Sequence, residues 1–415
     1  MANPLWVQDR DCWTVEEVYD RLERPVIPVV VAMQENGIRL DAERLSVLNE
    51  KITVRLEELR VGVLANINPN SNKQVAGYLY DYRGLKPQGR SKKTGQASVD
   101  EKSLTKLLTK VEEDDRLFIQ AELEWRELHK LRSTYVLPLP LAIGGDGRLH
   151  GEFLQWGTDT GRFASRNPNL QNLPTHTSLG LEVLEAFVPD EGNVFVKVDY
   201  SQIELRVIAM MSREVEMVEA FRSGKDIHQA LLDTLGWPKE WRVRAKTINF
   251  GIPYGMEAAT LGYRLGVSRK ESQEYLDSYW ATHPSVKRMF DIFRAQAEYR
   301  GCMETLWGRR FYTDIPKGRG GVREAALREA CNMPIQGGAA DVMKLYMPQA
   351  HSIGLRRGAR VLMQEHDALV FEVEEDRSQE LLGELIGEAE EEIEALVPIV
   401  LDGKVGRSLR EVKED

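Results

Sequence analysis

The stretch GNVFVKVDY at 192–200 decides the fold. Val194, Val196 and Val198 alternate with Phe195, Lys197 and Asp199. A period of two predicts a strand with one buried face, here ending on a carboxylate. ARVLMQEHDALVFEV at 359–373 reads as strand, tight turn, strand, with His366 and Asp367 at the turn. Between these stretches, residues 203–347 read as helical, with breaks expected near Pro238, Pro284 and 315–321. Strands flanking a long helical insertion predict an α+β chain: a small sheet domain interrupted by a helical one.

Upstream, 42–66 has apolar residues at helical spacing and alternating charge, which predicts a long exposed helix. The turn segment INPNSN follows at 67–72, and PQGRSKKTGQAS at 87–98 is a polar, basic tip. Residues 101–131 return to a helical pattern. The expected units are 1–41, 42–135, 136–206, 207–347 and 348–415, the last closing on a C-terminal helix.

The 415 residues are 42% hydrophobic and 29% charged, ordinary for a globular protein of two or three units. No apolar run approaches the roughly 20 residues that span a bilayer, and MANPLWVQDR lacks a signal-peptide pattern, so a cytoplasmic location is expected. Cys12, Cys302 and Cys331 are far apart, which argues against disulfides and zinc. The net charge of −10 is concentrated near the end: Glu372 to Glu394 holds eleven acidic residues and one basic. Leu382, Ile386, Ala389, Ile393 and Leu396 at helical spacing make that stretch an amphipathic helix with a solvated acidic face. Basic residues gather at Lys86–Arg90–Lys92–Lys93 and Lys130–Arg132, so the overall sign does not exclude nucleic acid.

Read singly, Asp199 and Asp367 are turn or cap residues; as a pair at the ends of adjacent strands they would fit phosphoryl transfer. That chemistry needs positioning and charge neutralisation, often by two metal ions about 3.5–4 Å apart. Magnesium takes oxygen ligands and keeps several waters, so one or two carboxylates suffice. Arg242, Lys246, Phe250 and Tyr254 are spaced by four and precess about 40° per step, forming one slowly turning stripe on a helix. Two cations followed by two aromatics suit a nucleoside triphosphate, and by spacing alone equally a helix with its basic residues in solvent and its aromatics in the core.

Three segments then occur in order: DYSQIELR at 199–206; RVRAKTINFG at 242–251 with Tyr254-Gly255; and His366-Asp367. They closely resemble the polymerase motifs of family A DNA polymerases, the bacterial DNA polymerase I type, and the resemblance runs from about Arg24 to the C-terminus. It implies a right hand of palm, fingers and thumb, with an antiparallel palm sheet. It implies that Asp199, Asp367 and the Tyr200 backbone carbonyl hold two magnesium ions. Arg242, Lys246 and His228 would meet the triphosphate, Phe250 the sugar and Tyr254 the templating base. Glu204 would crowd the sugar 2′ position, making the substrate a dNTP. Arg162, Asn169, Gln171, Asn172, Asn332, Gln336 and His366 would contact the primer–template. So would Lys92, Lys93 and Thr94 at the thumb tip, and Lys130, Arg132 and Ser133 in a backbone-gripping segment. Members of that family commonly carry a proofreading exonuclease domain, but only some 25 residues precede the palm-like sequence, so no 3′–5′ proofreading is expected. A monomer is expected, with any exonuclease or processivity factor a separate protein.

Two departures stand out. Pro253 replaces an apolar residue; lacking an amide proton and crowding the Asn249 carbonyl, it predicts that the helix ends near Phe250–Ile252. The third motif is His366-Asp367-Ala368 where the family has His-Asp-Glu, while Glu365 stands at a normally apolar position and is the candidate supporting acid. Two other readings compete: a single-subunit RNA polymerase, against which Glu204 counts, and a catalytically weak DNA-binding homologue.

Overall fold

The computed structural model describes residues 13–413 other than 92–93, 176, 319 and 393–395. Its centre is a four-stranded antiparallel sheet. The strands are β1 (Asn193–Tyr200), β2 (Arg360–Glu365), β3 (Ala368–Glu374) and β4 (Leu401–Gly406), in spatial order β4-β1-β3-β2. Both sequence-read strand stretches fall where expected, but β1 is buried on both faces. Val194, Val196 and Val198 pack on one side, while Phe195 and Lys197 are buried on the other. The chain also closes on a strand: β4 follows the acidic helix and pairs with β1 from Leu401↔Tyr200 to Gly406↔Phe195. LDGKVG carries little β propensity, so this strand is defined by its partner.

The helices that matter here are α1 (Ala42–Val61), α2 (Glu113–Leu131), α3 (Ile203–Ser212), α4 (Ile227–Leu235), α5 (Arg242–Gly251), α6 (Gly321–Arg356) and α7 (Ser378–Glu392). Asp41 caps α1 by accepting from the Glu43 and Arg44 amides. Leu45, Leu48, Ile52, Leu56 and Leu59 form its buried stripe against α2. Helix α7 packs on β1 and β4.

The helical insertion is not wholly helical. It contains a short hairpin pairing Cys302–Glu304 with Arg310–Tyr312, held by the tight turn around Gly308. Two cores result. The large one runs through the sheet, α1, α2, α3 and α6. A separate one is built by Leu231, Leu232, Ala245, Ile248, Leu261 and Tyr279, among others. The sheet and helix α5 therefore rest mainly on different cores.

One buried charge cluster joins distant parts of the chain. Lys344 on α6 donates to Glu23 Oε1 at 2.8 Å, and Arg309 reaches Glu23 at 2.5 Å and Asp341 at 2.6 Å. Burial pushes the Glu23 carboxyl up, but the adjacent Lys344 and Arg309 charges outweigh it and hold Glu23 below its usual range. None of these four residues stood out in the sequence, because their sole signal is mutual proximity.

Candidate active site

Asp199 and Asp367 meet because β1 and β3 are neighbours. The Tyr200 amide donates to the Asp367 carbonyl at 3.0 Å, tying the end of β1 to the β2–β3 turn. In register, Asp199 opposes Ala368, the residue after Asp367. The turn is two residues long, and His366 takes φ +54°, the sense that matches the twist of a hairpin. Both carboxylates line a polar cleft of about 250 Å³ together with Tyr200, Glu204, His228, Arg242, Lys246 and Phe250. A cluster of oxygen donors, partly open to solvent and faced by cations, fits magnesium with phosphate as its co-ligand.

Glu204, in the first turn of α3, is held from two sides. The Arg162 guanidinium lies 2.5 Å from one carboxylate oxygen and 3.8 Å from Asp367, and the Tyr254 hydroxyl donates to the other Glu204 oxygen. Burial, then the Glu204 charge, pushes the Tyr254 phenol well above its usual range, so it remains a donor. Helix α5 ends at Gly251, as Pro253 predicts, and the chain turns through 252–255. Arg242, Lys246 and Phe250 share α5; Tyr254 lies beyond it, which shortens the expected four-residue stripe to three.

Asp226 does two things at this cleft. Its side chain caps α4 by accepting from the His228 and Gln229 amides, and it takes both Nε and Nη2 of Arg242, at 3.0 and 2.5 Å. Among the described residues Lys246 has no ion pair. His228 is buried, and Asn249 Nδ2 approaches its Nδ1 at 3.0 Å. The same amide nitrogen donates to the Ile227 carbonyl, so Nδ1 accepts and the proton sits on Nε2.

Burial pushes His228 down to about 4, and does the same to His283. Unfolded, both would titrate near 6.5. The unfolded chain thus takes up protons in a window where the folded chain does not. Their contribution to stability is complete above pH 6.5 and is lost as the pH falls toward about 4. Denaturant midpoints of the ligand-free protein are expected to fall across that window, and His283→Phe, which keeps the ring beside Tyr279, is expected to flatten the fall. An unchanged pH profile in that variant would reject the assignment.

The other sequence-read residues are distributed as follows. Lys130, Asn172 and His366 line a neighbouring groove of about 450 Å³, as does Glu365. Gln171 also borders it, but is buried with its amide donating to Gln364 Oε1 at 2.6 Å. Gln364 in turn donates to the His366 carbonyl, so this pair braces the β2–β3 turn. Asn169 accepts from the Gln171 amide, and Arg132 donates to Asn49 on α1 at 2.9 Å. The Ser133 hydroxyl donates to the Lys130 carbonyl, and Thr94 lies in the turn after Ser91. Asn332 and Gln336 are part-exposed on α6, one turn apart. Lys92 and Lys93 lie outside the described residues. Glu365 does not line the aspartate cleft. It pairs with Lys197 at 2.8 Å, a partner that sequence periodicity had placed on a strand face without suggesting the contact.

A mixed-fold chain with one carboxylate near the end of a strand and a second in the turn of the neighbouring hairpin, both facing a cationic helix on a separate core, has the build of a nucleic-acid polymerase hand. The comparisons agree. The sequence profile of DNA polymerase family A matches residues 42–411, and this chain belongs to that family. It is 40% identical over 415 aligned residues to the thermostable DNA polymerase I of Thermus filiformis, covering 96% of this chain and 49% of that one. With DNA polymerase I of Pseudomonas aeruginosa it shares 39% identity, over 90% of this chain and 42% of the relative. The chain thus spans about half the length of the curated relatives it matches. The POL domain of Pol1 from M. smegmatis, solved in complex with DNA primer-template and dNTP, superposes with a TM-score of 0.87. That match has 31% identity and covers 95% of this chain and 71% of that one. No described helix is long and apolar enough to cross a membrane.

Proposed function

We propose that this chain adds deoxynucleotides to a primer 3′-hydroxyl under the direction of a DNA template. The observation that carries the reading is the convergence of Asp199 and Asp367 in one cleft with His228, Arg242 and Lys246. Asp199, Asp367 and the Tyr200 carbonyl are the groups that would hold two magnesium ions, which when bound supply charge neutralisation for the attacking and leaving oxygens. Arg242 and Lys246 bind the triphosphate, with Arg242 exchanging Asp226 for phosphate. His228 donates Nε2–H to a phosphate oxygen. The 3′-hydroxyl gives up its proton to water, its oxygen forms a bond to the α-phosphorus as the bond to the bridging oxygen breaks, and pyrophosphate leaves.

Phe250 packs on the sugar, and Glu204 blocks the 2′ position while Tyr254 and Arg162 hold it rigid. Tyr254 meets the templating base. Arg162, Asn169, Asn172, Asn332, Gln336 and His366 follow the primer–template near the insertion point. Lys130, Arg132, Ser133 and Thr94 grip the backbone behind it, Lys130 from the groove it shares with His366.

Extension of a primed DNA template by the purified chain, with magnesium and either dNTPs or rNTPs, tests this reading. Extension is expected with dNTPs only and is expected to stop on chelation. Glu204→Ala is expected to lower the preference for deoxy over ribo substrates by about 10–200-fold, the range for a small steric difference in a pocket. Equal use of both substrates by the unaltered chain would favour the RNA-polymerase alternative.

A further inference from the structure

The end of the sheet carries a row that differs from the motif pattern at linked positions. Asp199 on β1 opposes Ala368 on β3, and Ala368 opposes Glu365 on β2. Cross-strand partners share a face, so these three side chains stand in one line. Lys197 precedes Asp199 by two residues and therefore lies on the same face. Its Nζ is 2.8 Å from Glu365 Oε2, and the two side chains are 11% and 17% exposed.

Strands β1 and β2 do not touch, because β3 runs between them. At about 4.8 Å per strand, the lysine must bridge two spacings, passing above β3 at Ala368 and Val370. A methyl at 368 leaves that path open. A glutamate there would put a carboxylate in the lysine's route and compete for its ammonium. Glu365 itself, drawn toward Lys197, lines the groove beside His366 and not the aspartate cleft.

We propose that Lys197, Glu365 and Ala368 act as one unit in which Lys197 is a positioning residue. It holds Glu365 away from the Asp199–Asp367 pair and cancels its charge. Asp199, Asp367 and the Arg162-paired Glu204 then remain as the acidic complement of the cleft, and the unit sets how much divalent cation the site demands. Removing the lysine frees a carboxylate close to the cation site. Removing the glutamate leaves a poorly hydrated ammonium there. The two changes act in opposite directions, a signature that mere loss of packing does not produce. This inference rests on the metal-dependent reading of the site given above.

The experiment measures two quantities. One is the magnesium concentration for half-maximal primer extension. The other is equilibrium Mn²⁺ binding without nucleotide, followed by electron paramagnetic resonance of the free ion. Lys197→Met is expected to lower the half-saturating magnesium and tighten Mn²⁺ by about 3- to 10-fold, as expected for a unit charge at partly screened range. Glu365→Gln is expected to shift both the other way. The double variant, and the reversed pair Lys197→Glu/Glu365→Lys, are expected to return toward the unaltered protein. Unchanged values in both single variants would overturn the proposal. So would shifts of the same sign in both, or a reversed pair that behaves like a single variant. An unaltered protein that extends primers without any divalent cation would instead overturn the functional reading itself.

Discussion

Asp199→Ala is expected to slow primer extension by about 10³-fold or more while leaving primer–template affinity within a few-fold. A carboxylate that places a catalytic cation contributes several kcal/mol to the transition state, and each 1.36 kcal/mol is tenfold in rate. Asp199 can be cut back without collapse, because its side chain is partly exposed and β1 is held by β3 and β4 through the backbone. The groups expected to grip nucleic acid, such as Lys130, line a different groove, and loss of a negative charge does not weaken phosphate binding. Asp367→Ala is expected to behave alike, and the double variant is expected to be little worse than either single one, since the two act together. Single-turnover extension and equilibrium binding of a labelled primer–template separate the effects. Parallel loss of rate and affinity would show that the aspartates hold the hairpin and not the reaction.

Glu23→Ala is expected to cost about 3–5 kcal/mol of stability, the range for breaking a buried ion pair from one side. Glu23 is 3% exposed, accepts from Lys344 and is ion-paired with Arg309, while among the described residues Asp341 is ion-paired with Arg309 alone, at 2.6 Å. Removing Glu23 leaves two cations facing one carboxylate in a buried site. Activity is expected to fall as well. Arg309 packs against Gly161, where an added Cβ would come within 3.0 Å of its side chain, and Gly161 precedes the Arg162 that holds Glu204. Urea unfolding measures the first effect, and extension well below the new melting range measures the second. A loss under 1 kcal/mol would mean that water replaces the missing carboxylate.

The strands around Asp199 and Asp367 were legible because alternation of apolar residues is a local signal. The end of α5 was legible because Pro253 breaks a helix by its own covalent geometry. The hairpin at Cys302–Tyr312 and strand β4 were not, being short and defined by pairing with distant chain. Among the site residues, Asp199, Asp367, Arg242, Lys246, Phe250, His228 and Glu204 were marked by ordered motifs, and the fold gathers all seven at one cleft. Gln171 was also marked, yet it is buried and braces Gln364.

The residues that position this site carried no motif. Lys197 reads in sequence as a polar residue on a strand face, Asp226 as a helix cap, and Glu23, Arg309, Asp341 and Lys344 as scattered charges. Sequence alone determined the chemical inventory and the order of the elements, because both are set by residue type and local period. The tertiary structure alone decided which charges neutralise which: that depends on distances across strands and between helices far apart in the chain. At the aspartate pair, the sequence supplied the two carboxylates. Only the pairing of β2, β3 and β1 showed that the neighbouring Glu365 is engaged by a lysine reaching over Ala368.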